Sequence, residues 1–123
     1  MINKKILIVE DDNFIADLYD RELTNDGFEV TVAKDGIEGE IKAKEVQPQL
    51  ILLDIMLPNR DGLDLLKILK EDPLTKGFKV LVLSNLGQEA AIKKALDLGA
   101  EGYLIKSSYT PKEVLNEIKT FFR

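Results

Sequence analysis

The sequence predicts a doubly wound α/β sandwich in which five parallel strands alternate with five helices. Two observations carry that prediction. Short apolar runs recur five times, and the segments between them show helical spacing of apolar residues. Polar, chemically able side chains follow four of the runs in one consistent register: Glu10-Asp11, Asp54, Ser84 and Lys106. In a parallel sheet these groups converge at its carboxyl edge, where open α/β sheets bind ligands.

The strands are read as Lys5–Val9, Phe28–Ala33, Leu50–Leu53, Lys79–Leu83 and Gly102–Ile105. The second is the least apolar, as an edge strand should be. In the first helix Phe14, Ile15, Leu18 and Leu23 give an apolar stripe closed by Asn25-Asp26-Gly27, with Asp12 or Asn13 as the cap. Asp35 caps the second helix, which carries Ile37, Ile41 and Val46 and stops before Pro48. Leu63, Leu66 and Leu69 mark the third, ending near Asp72-Pro73. Ala91, Ile92, Ala95 and Leu96 mark the fourth, with Gly99 at its end. Thr110-Pro111-Lys112-Glu113 is a capping box with proline in the first helical position, and Val114, Leu115, Ile118, Phe121 and Phe122 form the buried face of the fifth helix. Crossovers between parallel strands are right-handed. The pattern does not contain the strand order. The order 2-1-3-4-5 would set the first and third strands side by side at the switch point and bring Glu10, Asp11 and Asp54 into one pocket.

The 123 residues, 45% apolar and 32% charged, suit one globular domain over 1–123. A net charge of −5 argues against direct nucleic-acid binding, since phosphate contacts need clustered Lys and Arg. The chain has no cysteine, which excludes disulfide and thiolate chemistry and fits a cytoplasmic location. It has no histidine, which excludes a Ser-His-Asp triad, a histidine metal cage and a phosphohistidine on this chain. The apolar run after Lys4-Lys5 is too short for a signal peptide, and no run approaches a membrane span.

Three carboxylates in one pocket repel one another, and a divalent cation relieves that cost. Oxygen ligands alone point to a hard ion, Mg²⁺ or Mn²⁺. Asp54 then suits nucleophilic attack on phosphorus, giving an acyl phosphate. Lys106 suits a phosphoryl oxygen, and Ser84 can donate a hydrogen bond to another. Each residue also has a plainer reading. Asp54 alone is a turn or capping acid. Glu10, Asp11 and Asp12 are a capping cluster favoured by a helix dipole, and the register Asp11 with Asp12 stays open beside Glu10 with Asp11. Lone lysines such as Lys106 are usually solvated, and Tyr103 reads as a half-buried strand aromatic.

The motifs Ile6-Leu7-Ile8-Val9-Glu10-Asp11, Leu52-Leu53-Asp54-Ile55-Met56-Leu57-Pro58 with Asp61-Gly62, Val82-Leu83-Ser84 and Gly102-Tyr103-Leu104-Ile105-Lys106 follow one another in order. Together they make the chain resemble a response-regulator receiver domain over nearly its whole length. The resemblance implies a flavodoxin-like fold and a phosphoacceptor Asp54, supplied by the phosphohistidine of a sensor kinase or phosphotransfer protein in a phosphorelay. It implies Mg²⁺ held by Asp11, Asp54 and the Met56 backbone carbonyl, with Glu10 acting mainly through metal-bound water. It implies that Ser84 moves toward the phosphoryl group and that Tyr103 turns inward. A surface of the fourth helix, fifth strand and fifth helix would then be read by a downstream effector, an output domain or a second copy. Such a chain is not an enzyme in the ordinary sense, and only weak self-phosphorylation and self-dephosphorylation are expected.

The chain departs from the pattern at two positions. Ser107 follows Lys106 where a proline, often after a cis peptide, is usual; a non-proline cis bond costs about 2.5–4 kcal/mol, so the loop is either trans or strained. Asn85 follows Ser84 where Ala or Gly is common, and the larger side chain is expected to narrow access to Asp54. Met56 and Leu86 take positions that flank the attacking water's path in the family, and their apolar character implies slow phosphoryl loss. Three other functions compete. A haloacid-dehalogenase-type phosphatase wants a second Asp where Met56 stands. A flavodoxin-like FMN carrier wants a Ser/Thr/Gly-rich phosphate loop where Glu10-Asp11-Asp12 stands. A pseudo-receiver would bind partners without phosphorylation. Lys93, Lys94, Asp97, Glu101, Glu113, Glu117 and Lys119 offer dimer salt bridges on the output face, although mixed surface charges are usually just solvated.

Overall fold

The computed structural model describes residues 4–122. Five strands, β1 (Lys5–Val9), β2 (Glu29–Ala33), β3 (Leu50–Leu53), β4 (Lys79–Ser84) and β5 (Gly102–Ile105), form one parallel sheet in the order β2-β1-β3-β4-β5. The helices are α1 (Asn13–Asn25), α2 (Gly36–Val46), α3 (Gly62–Glu71), α4 (Glu89–Asp97) and α5 (Pro111–Thr120). One element was not expected from the sequence: a 3₁₀ turn over Lys106–Ser108. Among the described residues no helix is long and apolar enough to cross a membrane.

The strands carry side chains alternately to two cores, as a period of two requires. Leu7, Val9, Ile51, Leu53, Val80 and Val82 pack with Leu65, Leu66 and Leu69 of α3, Ala43 of α2 and Ala95 of α4. Ile6, Ile8, Leu50, Leu52, Leu81 and Leu83 pack with Tyr19 and Leu23 of α1 and Val114, Leu115 and Ile118 of α5. β1 and β3 are therefore apolar on both faces, and β2, at the edge, is only half-buried. Full burial of each large aliphatic side chain is worth about 1.5–3 kcal/mol, so these central strands are the stable floor on which the site is built.

The predicted helix ends match the caps closely. The Asp12 carboxylate accepts the Phe14 and Ile15 N–H groups, Asp35 accepts from Glu38, and Thr110 with Glu113 forms the reciprocal capping box. Gly27 and Gly99 stand just past α1 and α4 at φ of 96° and 110°, where a β-carbon would be strained.

The buried face expected for the fifth helix is shorter than predicted, since α5 ends at Thr120 and Phe121 and Phe122 lie past it, half-buried, and on three other helices the apolar residues do not all face the sheet. On α1 the sheet side is Ala16, Tyr19 and Leu23, while Phe14 is 72% exposed and Leu18 is exposed as well. On α2 the buried residues are Gly36, Gly39 and Ala43, and Ile37 and Ile41 face outward. The reason lies in spacing: a β-carbon at Gly39 would sit 2.9 Å from a Leu65 methyl and 3.2 Å from a Val9 methyl, so the helix approaches the sheet through its small residues. On α4 only Ala95 is buried, and Leu96 is exposed. Apolar spacing located these helices but could not say which side meets the sheet, because short approach distances favour Gly and Ala over Ile and Leu.

Candidate functional site

Strand register builds the site. β1 and β3 are neighbours with Val9 opposite Leu53, so the residues that follow, Glu10 and Asp54, end side by side. The Asp54 N–H donates to the Val9 carbonyl at 3.1 Å and the Glu10 N–H to the Ala33 carbonyl at 3.0 Å, which extends the ladders into the acidic cluster. Glu10 and Asp54 are buried, 3% and 6% exposed, and Asp11 is exposed at the mouth. One carboxylate oxygen from each of Glu10, Asp11 and Asp54 lies within 4.8 Å of the others. Of the two acidic registers, the geometry gathers Glu10 and Asp11 with Asp54, while Asp12 caps α1.

Lys106 arrives from the end of β5. Its Nζ donates to Asp54 Oδ2 at 2.7 Å and also pairs with Glu10 Oε1. The second oxygen of each acid is also engaged: Glu10 Oε2 accepts the Asp12 N–H at 3.0 Å, and Asp54 Oδ1 accepts the Met56 N–H at 3.0 Å. Burial pushes the Glu10 carboxyl above its ordinary value, and the Lys106 and Asp12 hydrogen bonds oppose that without cancelling it. For Lys106 burial acts to lower the ammonium pKa, but the bonds to Asp54 and Glu10 outweigh it, and the net direction is upward. The lysine therefore stays cationic at neutral pH.

Ser84, fully buried at the end of β4, accepts the Leu86 N–H on its Oγ at 3.2 Å. The Tyr103 hydroxyl donates to the Leu86 carbonyl, so the ring of this β5 residue is directed inward across the β4–α4 loop. Burial raises the Tyr103 phenol above its usual value, and the nearby Ser84 hydroxyl opposes that. Met56 exposes its side chain, and Leu86 is half-buried.

The two departures from the pattern touch each other. The described residues contain no cis peptide, so Ser107 follows Lys106 through a trans bond into the 3₁₀ turn. The Ser107 N–H donates to Asn85 Oδ1 at 2.9 Å. Sequence reasoning singled out both residues but not their contact, since no spacing rule relates residues on two separate loops.

It also missed the support of the loop that follows Asp54. Asn59, at φ 66°, donates from Nδ2 to Asp35 Oδ2 at 2.8 Å, and Arg60 pairs with Glu40 of α2. At Gly62 a β-carbon would lie 2.4 Å from Ile55 Cα and 2.5 Å from the Asp54 carbonyl oxygen. Only glycine lets α3 start so close to the nucleophile candidate. Of the charges offered for a dimer, Lys93 pairs with Asp97, Glu101 with Lys70 and Lys119 with Asp26, and Glu113 serves the α5 cap.

Comparison with known proteins agrees with this geometry. The family model described as the response regulator receiver domain matches residues 6–119. The chain is 38% identical over 122 residues to the alkaline phosphatase synthesis transcriptional regulatory protein PhoP of Bacillus subtilis, covering 99% of this chain and 50% of that protein. The chain thus spans about half the length of that curated relative. The crystal structure of a CheY-like receiver domain protein from Methanospirillum hungatei superposes with a TM-score of 0.90 at 32% identity, over 97% of this chain and 93% of that one. The Mn²⁺-bound form of the response regulator Rcp1 gives a TM-score of 0.85 at 28% identity, over 97% and 96%. With the sheet order, the acidic cluster at its carboxyl edge and these matches in agreement, the chain belongs to the response-regulator receiver domains of two-component systems.

Proposed function

We propose that Asp54 is the phosphoacceptor of this receiver and that its phosphorylation switches the α4–β5–α5 surface for partner binding. The observation that carries the reading is the meeting of Asp54 with two further carboxylates and one buried ammonium at the ends of adjacent strands. Receiver domains are signalling phosphoacceptors rather than turnover enzymes.

The donor set fits a hard divalent ion: three carboxylates, oxygen only, in a chain without His or Cys. Asp11 and Asp54 with the Met56 carbonyl would hold Mg²⁺ or Mn²⁺, with Glu10 behind them through water. The ion, when bound, neutralises charge on the acids and on the phosphoryl oxygens. The Mn²⁺-bound Rcp1 structure is consistent with this ligand class.

The remaining work belongs to the chain. An Asp54 carboxylate oxygen forms a bond to phosphorus while the bond to the donor's leaving nitrogen or oxygen breaks and takes its electron pair. Asp54 is held for that attack by the Met56 N–H and by Lys106. Lys106 shifts from the free carboxylate to a phosphoryl oxygen. Ser84, whose Oγ accepts from the Leu86 N–H, turns its own O–H toward another oxygen, and Tyr103, already directed inward, follows the Leu86 carbonyl it holds. These movements bias a two-state surface through a local charge event. A histidine kinase or phosphotransfer protein supplies the group. An output domain or separate effector reads the surface, where Leu96 is exposed. The apolar Met56 and Leu86 leave an attacking water without a polar partner, which makes the phosphoryl group long-lived. Faster decay in Met56→Asn or Leu86→Glu tests that point, and unchanged decay in both refutes it.

The deciding experiment is intact mass after incubation with acetyl phosphate or phosphoramidate, with Mg²⁺ and with EDTA, on wild type and Asp54→Asn. One Mg²⁺-dependent phosphoryl adduct, absent in the variant, is the expected result. No adduct on wild type under any condition refutes the phosphoacceptor reading in favour of a binding module that works without phosphorylation.

A further inference from the structure

The β4–α4 and β5–α5 loops are tied by the bond from the Ser107 N–H to Asn85 Oδ1. The acceptor can only be the amide oxygen, because the donor is a backbone N–H. The bond needs both residue types: a proline at 107 has no N–H, and Ala or Gly at 85 has no acceptor. Its two ends lie one residue past Ser84 and one residue past Lys106, the polar groups that β4 and β5 bring to Asp54. The Leu86 N–H to Ser84 Oγ contact and the Tyr103 hydroxyl to Leu86 carbonyl contact pin the same loop from its inner side. Asn85 completes the arrangement from the solvent side and fixes the backbone that carries Lys106.

Lys106 depends on that backbone. It opens a 3₁₀ turn of only three residues, entered through a trans peptide, and the turn has no side-chain cap. Its Nζ must nevertheless stay within hydrogen-bond reach of Asp54 Oδ2, 2.7 Å away. A small displacement of a charge-positioning group is enough to slow a transfer reaction.

We infer that Asn85 is a positioning residue for phosphoryl transfer, acting through Lys106 by holding the Ser107 N–H. The inference rests on the phosphoacceptor reading of Asp54. Asn85 is exposed and outside the core, so Asn85→Ala should fold, with its thermal midpoint lowered by no more than about 5 °C.

The test follows the initial rate of Asp54 phosphorylation by acetyl phosphate with saturating Mg²⁺ in wild type, Asn85→Leu, Asn85→Ala, Lys106→Ala and the double variant Asn85→Ala with Lys106→Ala. Amide hydrogen exchange at Ser107 is followed in wild type, Asn85→Leu and Asn85→Ala. Loss of one hydrogen bond of this kind corresponds to a rate reduction of about three- to ten-fold. That reduction is expected in Asn85→Leu, which keeps the bulk at the mouth but has no acceptor, and in Asn85→Ala less the gain from wider access to Asp54, both with faster exchange at the Ser107 amide. In the Lys106→Ala background, adding Asn85→Ala is expected to bring no further loss, since a residue that works through Lys106 has no positioning effect once the ammonium is gone. An Asn85→Leu rate equal to wild type overturns the inference, as does an equal further loss on adding Asn85→Ala in the Lys106→Ala background. An inert wild type refutes the phosphoacceptor reading itself, so the two failures are distinguishable.

Discussion

The two halves of the carboxyl edge are held in different ways. On the β1–β3 side, Glu10 and Asp54 extend central strands that are buried on both faces, and backbone N–H groups bind their carboxylates. On the β4–β5 side, Ser84 and Tyr103 also lie on paired strands, but their side chains engage the β4–α4 loop through single bonds, Lys106 is held by the two acids, and the loops beyond are joined by one exposed bond. In the first half each acid is anchored twice, by a backbone bond that extends the ladder and by a backbone N–H on its carboxylate. The second can exchange partners one bond at a time, each worth about 0.5–1.5 kcal/mol. On the proposed reading the chemistry falls to the doubly anchored half and the response to the half that can rearrange at modest cost.

The largest expected effect breaks the doubly anchored half. Gly62→Ala places a methyl against the Ile55 and Asp54 backbone, and overpacking there is expected to destabilise the fold by about 3 kcal/mol, read as a lower urea midpoint with an unchanged slope. A midpoint within error of wild type would show that the loop after Asp54 is softer than its contacts imply. Next, Lys106→Ala removes an ammonium that touches both buried acids. The phosphorylation rate is expected to fall by roughly a hundred-fold, the range for losing a preorganised electrostatic partner. A fall of less than about three-fold would shift the burden to the metal and Ser84.

On the movable half, Tyr103→Phe deletes the hydroxyl that grips the Leu86 carbonyl. About 1 kcal/mol of stability is expected to go, with faster amide exchange confined to the β4–α4 loop. Exchange that rises equally across β1 and β3 would erase the distinction between the halves. The smallest effect concerns Asp35, whose carboxyl is held below its ordinary value by the Glu38 N–H and then by Asn59. A depressed folded pKa gives stability that is present above the unfolded value and is lost as pH falls through the folded value. Asp35→Ala should therefore unfold at lower urea than wild type at pH 7, with the gap closing below pH 3.8, the unperturbed value. A gap that persists in acid would assign the difference to helix capping by the neutral carboxyl rather than to charge.

Much of the site was legible because it is written along the chain. Strand ends at Glu10, Asp54, Ser84 and Lys106 can be found by counting, but the order β2-β1-β3-β4-β5 that brings them together is a property of the assembled sheet, since right-handed crossovers alone allow several orders. The helix caps at Asp12, Asp35 and Thr110 are local in the same way, since each acceptor and donor lie within three residues. The buried faces of α1, α2 and α4 were not legible. Phe14, Ile37, Ile41 and Leu96 satisfy helical spacing yet face outward, since the fit of Gly39 against Leu65 and Val9 is a property of two surfaces meeting.

The sequence by itself determined the alternation of elements, their ends and the residues at the sheet edge, because period, capping and turn chemistry act over a few residues. Only the tertiary structure decided that Asn85 meets Ser107, that Asp35 meets Asn59, and that Lys106 bridges Glu10 and Asp54. Those pairs lie 22, 24, 96 and 52 residues apart. No local preference reaches that far, and a contact of that kind exists only once packing of the whole sheet has set the distance between loops.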